Sequence, residues 1–257
     1  MAAEAIMNAT NSLHPYHPTD AAMSDYVANQ LGSTSLQATF ALGASAVLAP
    51  TYQLIRKTNP TLSTGNTAAA LWFVLCGFIH FFFEGQSVPS SVQKPLGLIM
   101  AKGYFAYNQH RMPSRTDIFG QLWKEYSLSD SRYLTQDSFV VCMEAVTALF
   151  WGPLSFACAY CIVQNKPLRH PLQIIISLGQ LYGDVLYYAT CTFDKVVWKM
   201  VYCRPEAWYF WFYYVMMNAF WIVIPTILMV GSVVETKRAF AKVAQAANAQ
   251  TKGKKEL

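Results

Sequence analysis

The chain alternates between long apolar stretches and shorter polar connections. The apolar stretches cover residues 36–55, 67–83, 138–163, 172–192 and 207–234. Each is close to or longer than the roughly 20 residues that an α-helix needs to cross a bilayer. The connections are rich in Pro, Gly, Asn and charged residues, which are typical of turns. The pattern predicts an all-α membrane protein, a five-transmembrane-helix bundle.

Composition supports a membrane protein with one compact domain. Of the 257 residues, 54% are hydrophobic and only 13% are charged, against about 25% charged in soluble domains. We expect a flexible polar N-terminus at 1–34, a membrane domain at 35–235 and a basic tail at 236–257. The net charge of +5 lies largely in the tail and loops, so it does not indicate a nucleic-acid partner.

Several predicted spans carry polar side chains at helical spacing. An ionisable group at membrane depth costs about 2.5–3.5 kcal/mol on insertion scales, so such groups are hidden from lipid and mark functional sites. Residues three or four apart share one face of a helix. The pairs with this spacing are His80 with Glu84, Glu144 with Thr147, Gln180 with Asp184, and Asn218 with Trp221. We expect an intramembrane cavity where these four faces converge.

Such a cavity suits proton transfer on a hydrophobic molecule. A histidine beside a carboxylate, as in His80 and Glu84, can pass protons. A second carboxylate and the face of a Trp ring can stabilise a cation, the ring by about 0.5–2 kcal/mol. The apolar walls indicate a lipid-like substrate. The sequence shows no nucleophile triad, phosphate loop or metal-binding pattern, and Cys158 and Cys161 lie inside an apolar helix, which does not favour zinc.

Structural roles are open alternatives for these side chains. Gln180 and Asp184 could only join the fourth helix to its neighbours by hydrogen bonds. Thr147 could bond to the backbone of its own helix, Asn218 could bond a neighbouring helix, and Trp221 could simply pack. Agreement of four faces favours the cavity over these single-residue explanations.

Five segments in order resemble one known family. They are HFFFEG (80–85), QLWKEYSLSDSRY (121–133), FVVCMEAVTALFWGPLS (139–155), PLQIIISLGQLYGDVLYY (171–188) and YFWFYYVMMNAFWIVIP (209–225). They resemble the emopamil-binding protein family, the sterol Δ8–Δ7 isomerases of the endoplasmic reticulum. The resemblance covers residues 36–235, and it leaves the role of the 86–119 connection open.

The resemblance implies an activity without a cofactor. The family moves a sterol double bond from carbons 8–9 to carbons 7–8: a proton adds at carbon 9, a carbocation forms at carbon 8, and a proton leaves carbon 7. By resemblance, His80 and Glu84 match the acid–base pair, and the sequence does not decide which donates the proton. Glu144 matches a second essential carboxylate facing the cation. The residues matching the pocket or otherwise needed for activity are Asn218, Trp221, Thr147, Tyr126 and Tyr133.

The resemblance also implies ligands and a location. A protonated amine on a hydrophobic body mimics the carbocation, so we expect cationic amphiphilic ligands beside the sterol substrate and membrane lipid. A homodimer is compatible with an aromatic-rich bundle. Lys254 and Lys255 fit a dilysine retrieval signal, which predicts a multi-pass protein of the endoplasmic reticulum membrane with a cytosolic C-terminus.

Two other functions compete with isomerase activity. A non-catalytic protein that binds sterols or cationic amphiphiles would not need the full set of five residues, which are His80, Glu84, Glu144, Asn218 and Trp221. A proton-coupled transporter is disfavoured because the chain shows no evident internal repeat.

Overall fold

The computed structural model describes residues 14–23, 25–84 and 109–253, without the side chains of 82, 84 and 251–253. Most of the 86–119 connection and the dilysine residues 254–255 lie outside the described part, so the predictions made for them stay predictions. The described part is predominantly helical and shows no strand.

The described bundle consists of seven α-helices and four π-helical segments. It also contains two short 3-10 helices, at Gln109–Ser114 and Ser131–Tyr133. The elements are α1 (Ser33–Thr58), α2 (Thr64–Phe78), π1 (Ile79–Glu84), α3 (Ile118–Tyr126), α4 (Ser138–Val146), π2 (Thr147–Trp151), α5 (Gly152–Val163), α6 (Arg169–Phe193), π3 (Asp194–Trp198), π4 (Trp208–Met216) and α7 (Met217–Gly253).

Local capping explains where several helices begin. The side chain of Ser63 accepts a hydrogen bond from the backbone N–H of Asn66 at the start of α2. The side chains of Asp117 and Asp137 likewise accept hydrogen bonds from backbone N–H groups at the starts of α3 and α4. These residue types satisfy backbone donors that a helix start leaves without partners.

Within residues 14–23, 25–84 and 109–253, four helical stretches are long and apolar enough to cross a membrane: Ser33–Thr58, Thr64–Phe81, Ser138–Val163 and Trp208–Gln250. The all-α membrane fold is therefore confirmed, but the predicted count of five is wrong by one. The predicted fourth span is present as the helix α6, yet its mean hydropathy is too low for it to be counted among the candidate membrane spans. A stripe of buried polar side chains on one face, Gln173, Ser177, Gln180 and Asp184, explains the difference.

Pairs of helices pack side by side to form the bundle. The helix α6 lies along α7, α2 lies along α5, and π1 crosses π2. Side chains such as Leu42, Leu54 and Ile227 are largely exposed on the outer surface, as expected of groups that face lipid. Small side chains allow close approach inside: a Cβ on Gly179 of α6 would lie 2.0 Å from Cζ2 of Trp151 in π2.

A polar cap covers one end of the bundle. We define the polar cap as residues 117–134 together with the irregular residues 14–23 and 25–32 that lie against them. The buried Tyr16 donates its hydroxyl proton to the carbonyl of Lys124. The side-chain oxygen of Gln121 accepts from the backbone N–H groups of Gln30 and Leu31 at 2.8 and 2.9 Å. This packing was not predicted from the polar composition of residues 1–34.

Candidate active site

A cavity of about 460 Å³ lies between α1, π1, α3, π2, α6 and the π4–α7 helix. Its volume is within the range of roughly 300–1,000 Å³ that is typical of small-molecule sites. The predicted site residues that line it are His80, Tyr126, Tyr133, Glu144, Thr147, Asn218 and Trp221. The convergence of the polar faces is therefore found in the structure. The side chain of Glu84 lies outside the described residues, so its role stays a prediction.

Three π-helical segments contribute to the cavity wall. His80 belongs to π1, Thr147 and Trp151 to π2, and Tyr213 to π4. π-turns are rare and are frequently found at functional sites, where the extra residue shifts side chains from their α-helical positions. The α-helical spacing used to pair His80 with Glu84 therefore does not apply, since both residues belong to π1.

His80 is buried at the centre of this wall, with 4% of its surface exposed. Its Nε2 lies 3.3 Å from Nε2 of Gln180 on α6. In this orientation the amide donates to an unprotonated Nε2, so the ring proton of a neutral His80 is on Nδ1. A reversed amide would present its oxygen instead and accept from an Nε2–H. Gln180 can therefore bond His80 in either protonation state.

Glu144 on α4 is buried, and Tyr133 orients its carboxylate. The Tyr133 hydroxyl donates to Oε1 of Glu144 at 3.0 Å. Thr147, one turn later, donates to the carbonyl of Met143 at 2.6 Å. The sequence left open whether Thr147 bonds the backbone of its own helix or faces the cavity. It does both, since it also lines the cavity.

Tyr126 and Asn218 form a second polar contact on the wall. The Tyr126 hydroxyl donates to Oδ1 of Asn218 at 3.4 Å, and Nδ2 of Asn218 donates to the carbonyl of Tyr214 at 2.7 Å. Burial raises the pKa of Tyr126, whereas the hydrogen bond to Asn218 acts in the opposite direction. The phenol therefore remains a proton-bearing donor at neutral pH.

Trp221 presents an aromatic surface beside His80. Their ring centroids are 6.4 Å apart, and Trp72 packs on the indole at 5.4 Å. The indole N–H of Trp221 has no hydrogen-bond partner among the described residues. An indole held in this way can offer its face to a positive charge inside the cavity.

Comparison with known proteins gives the family of the chain. A sequence model of EXPERA, the expanded EBP superfamily, matches residues 118–232. A mouse protein named 3-beta-hydroxysteroid-Delta(8),Delta(7)-isomerase is 36% identical over 225 residues, which are 87% of this chain and 89% of the mouse protein. The chain belongs to the EBP family. The predicted family membership is thereby confirmed.

Relatives in other organisms cover the chain to a similar extent. The guinea-pig protein of the same name is 32% identical over 87% of this chain and 89% of its own length. A rice protein named probable 3-beta-hydroxysteroid-Delta(8),Delta(7)-isomerase is 30% identical over 85% of this chain and 90% of its own length.

The cavity of this EBP-family member holds two further carboxylates, Asp184 and Glu125, of which only Asp184 lies on a helix face that the sequence predicted to converge there. Asp184 of α6 lines the cavity and is 8% exposed. Its Oδ2 has no hydrogen-bond partner among the described residues, so it does not join α6 to a neighbour as one alternative proposed. The four-residue spacing of Gln180 and Asp184 predicted that both side chains face the cavity, and both line it. Glu125 of α3 also lines the cavity, and no pattern in the sequence indicated it.

The polar cap contains a buried ion pair that the sequence reasoning also missed. Arg132 and Asp130 are 1% and 0% exposed and meet at 2.7 Å. Arg132 also donates to Oγ1 of Thr190 and lies over the ring of Tyr187. Burial opposes the charge of Arg132, but the adjacent Asp130 carboxylate prevails and raises the guanidinium pKa above its ordinary value. This pair fixes the residue that precedes Tyr133, the partner of Glu144.

Proposed function

We propose that this protein is a sterol Δ8–Δ7 isomerase. The observation that carries the proposal is the convergence of His80, Glu144 and Trp221 on one apolar cavity large enough for a small hydrophobic molecule. The names of the mouse, guinea-pig and rice relatives support the same reaction and a 3β-hydroxysteroid substrate. The activity is an intramolecular double-bond transposition and needs no cofactor.

The reaction requires one proton to be added and another to be removed. A proton adds to carbon 9 of the Δ8 double bond, the positive charge appears on carbon 8, and loss of a proton from carbon 7 forms the Δ7 double bond. No atom is gained or lost overall. We assign proton transfer to His80, whose bond to Gln180 can follow either protonation state, and to Glu84 as its predicted partner.

The cavity wall supplies charge stabilisation for the carbocation. The Glu144 carboxylate is held by the Tyr133 hydroxyl, so it need not reorganise when the charge forms, which is the condition for strong electrostatic catalysis. The Trp221 ring adds a cation–π contribution. Apolar walls exclude water, which would otherwise trap the cation as an alcohol.

The same wall accounts for the predicted cationic amphiphilic ligands. A protonated amine would occupy the place of the carbocation, close to Glu144 and Trp221, with its apolar body in the rest of the cavity. We further propose that the protein resides in the endoplasmic reticulum membrane with its basic tail in the cytosol. The basic residues Lys237, Arg238 and Lys242 on the exposed end of α7 support this orientation.

Turnover in deuterated water tests the proposal. The purified protein in liposomes is incubated with a Δ8-sterol, and the product is analysed by mass spectrometry and by the position of its double bond. The expected product is a Δ7-sterol that carries one solvent deuteron on carbon 9. A folded preparation that binds the sterol but forms no product would contradict the isomerase and favour a sterol-binding protein.

A further inference from the structure

A group of three polar side chains lies at the end of the cavity next to the polar cap. Tyr213 of π4 donates its hydroxyl proton to Oε1 of Glu125 on α3 at 3.1 Å. Gln37 of α1 donates from Nε2 to the same hydroxyl at 3.0 Å. All three residues line the cavity. They come from three separate helices and belong to neither the predicted acid–base pair nor the predicted cation-binding wall.

Tyr213 is well separated from Trp221 along the cavity. Tyr213 and Trp221 are on the same continuous helix, and eight residues of helix correspond to roughly 12 Å along its axis. The ring of Tyr126, which bonds Asn218, lies between the two levels, 6.5 Å from the ring of Tyr213. The group of Glu125, Tyr213 and Gln37 is therefore at a different level of the cavity from Trp221 and from His80, whose ring centroid is 6.4 Å from that of the indole.

Glu125 retains capacity for another hydrogen bond. The side chain is 6% exposed, and the bond from Tyr213 is its single hydrogen bond in the described part of the chain. An ionised carboxylate has about four acceptor positions. A buried carboxylate with acceptor positions to spare favours a ligand that brings a hydroxyl donor, since O–H···O⁻ bonds are among the stronger hydrogen bonds in proteins.

A sterol has one polar group, and it is at the opposite end of the ring system from the alkyl side chain. Ring A and part of ring B separate the 3β-hydroxyl from the reacting carbons 7, 8 and 9. We propose that Glu125, Tyr213 and Gln37 form the subsite that binds this 3β-hydroxyl, with Glu125 accepting its proton in a hydrogen bond. The subsite would place ring B beside His80 and Glu144, and it rests on the proposed isomerase function.

The test compares two substrates that differ only in this hydroxyl. Turnover and affinity are measured for a 3β-hydroxy Δ8-sterol and for its 3-deoxy analogue, with the wild type, Glu125→Leu and Glu125→Gln. We expect Glu125→Leu to lower kcat/KM for the hydroxy sterol by roughly 10- to 100-fold, the range expected for a hydrogen bond to a charged group. Turnover of the deoxy analogue should change by less than about twofold. Glu125→Gln keeps a neutral acceptor, so its effect should have the same direction and be smaller.

A matched pair outside the cavity serves as the control. Tyr202 donates to Asp194 at 3.0 Å, a similar tyrosine–carboxylate bond that does not line the cavity. Asp194→Asn should affect the two substrates equally. Equal losses on both substrates in the Glu125 variants would show that Glu125 only joins α3 to π4, and would overturn the subsite.

The experiment also distinguishes failure of the subsite from failure of the isomerase proposal. A wild type that converts the deoxy analogue as efficiently as the hydroxy sterol would remain an isomerase without this subsite. A wild type that converts neither would contradict the isomerase. In that case the two dissociation constants decide the subsite: tighter binding of the hydroxy sterol, lost in Glu125→Leu, supports it, and equal binding overturns it.

Discussion

The Asp130–Arg132 ion pair of the polar cap and the open polar groups of the cavity bury similar side chains in opposite ways. In the cap, the Arg132 guanidinium meets Asp130 in a buried pair and donates further to Thr190. In the cavity, Oδ2 of Asp184, Oε1 of Gln180 and the indole N–H of Trp221 have no partner among the described residues. The two regions are in contact through Tyr133, which belongs to the cap and holds Glu144 of the cavity.

The difference separates polar groups that stabilise the fold from those that serve a ligand. Buried polar groups without partners cost about 1–3 kcal/mol each. A protein retains such groups where a ligand will bond them. Functional sites often lower the stability of the protein in this way. We therefore interpret buried groups whose hydrogen bonds are made, such as Arg132, as structural. The unpartnered groups near His80 are interpreted as part of the site.

The largest effect on activity is expected for Glu144→Gln. The amide oxygen can still accept the Tyr133 hydroxyl, so the fold should persist, but the negative charge facing the carbocation is lost. We expect kcat to fall roughly 10²- to 10³-fold, the size seen when one electrostatic stabiliser is removed. Glu206→Gln, at an exposed carboxylate that pairs with Arg204, should leave turnover unchanged. Activity of Glu144→Gln within threefold of the wild type would remove Glu144 from the mechanism.

The largest effect on stability is expected for Asp130→Ala. It leaves the Arg132 charge buried without its carboxylate, which typically costs about 3–5 kcal/mol. Thermal unfolding in detergent measures the loss. Glu235→Ala is the control, because Glu235 and Arg238 are an exposed pair, 48% and 67% exposed, worth at most about 1 kcal/mol. Similar losses in both variants would show that the buried pair is no more important than a surface pair.

An intermediate effect is expected for Gly179→Ala at the cavity wall. The new Cβ would overlap the Trp151 indole, from which it would lie 2.0 Å away, and overpacking typically costs about 1–3 kcal/mol. Because Trp151 lines the cavity, turnover should fall too. Gly183→Ala, one turn further along α6, meets no atom within 4 Å and should keep the wild-type melting temperature. Equal melting temperatures for the two variants would contradict the close packing of α6 on π2.

The smallest effect, and one of opposite sign, is expected for Asp184→Leu. The substitution removes a buried carboxylate that has an unpartnered oxygen, so the protein should become more stable by about 1 kcal/mol. The measurement is the melting temperature in detergent without ligand, beside Asp130→Leu in the cap, which should lower it. A marked loss of stability in Asp184→Leu would mean that Asp184 is paired and belongs with the structural group.

Sequence reasoning located the helices and most of the side chains predicted to line a cavity, because both depend on local pattern. Hydropathy and helical spacing located the spans and singled out His80, Glu144 and Asn218. The π-turns were missed because they depend on how neighbouring helices pack, as where Gly152 of α5 lies against Phe81 of π1. Glu125 was missed because its partner Tyr213, which also bonds Gln37, is distant in the sequence. The contacts between the N-terminal residues of the polar cap and α3 were missed for the same reason, because they also join residues that are distant in the sequence.

The most direct test of the central claim is an experimental structure of the protein with a bound cationic amphiphile. The account predicts that the ammonium group lies within hydrogen-bond distance of the Glu144 carboxylate and over the Trp221 ring, while the Asp130–Arg132 pair in the cap is unchanged. An ammonium group bound away from Glu144, or a ligand that opens the cap pair, would contradict the division between structural and ligand-binding polar groups.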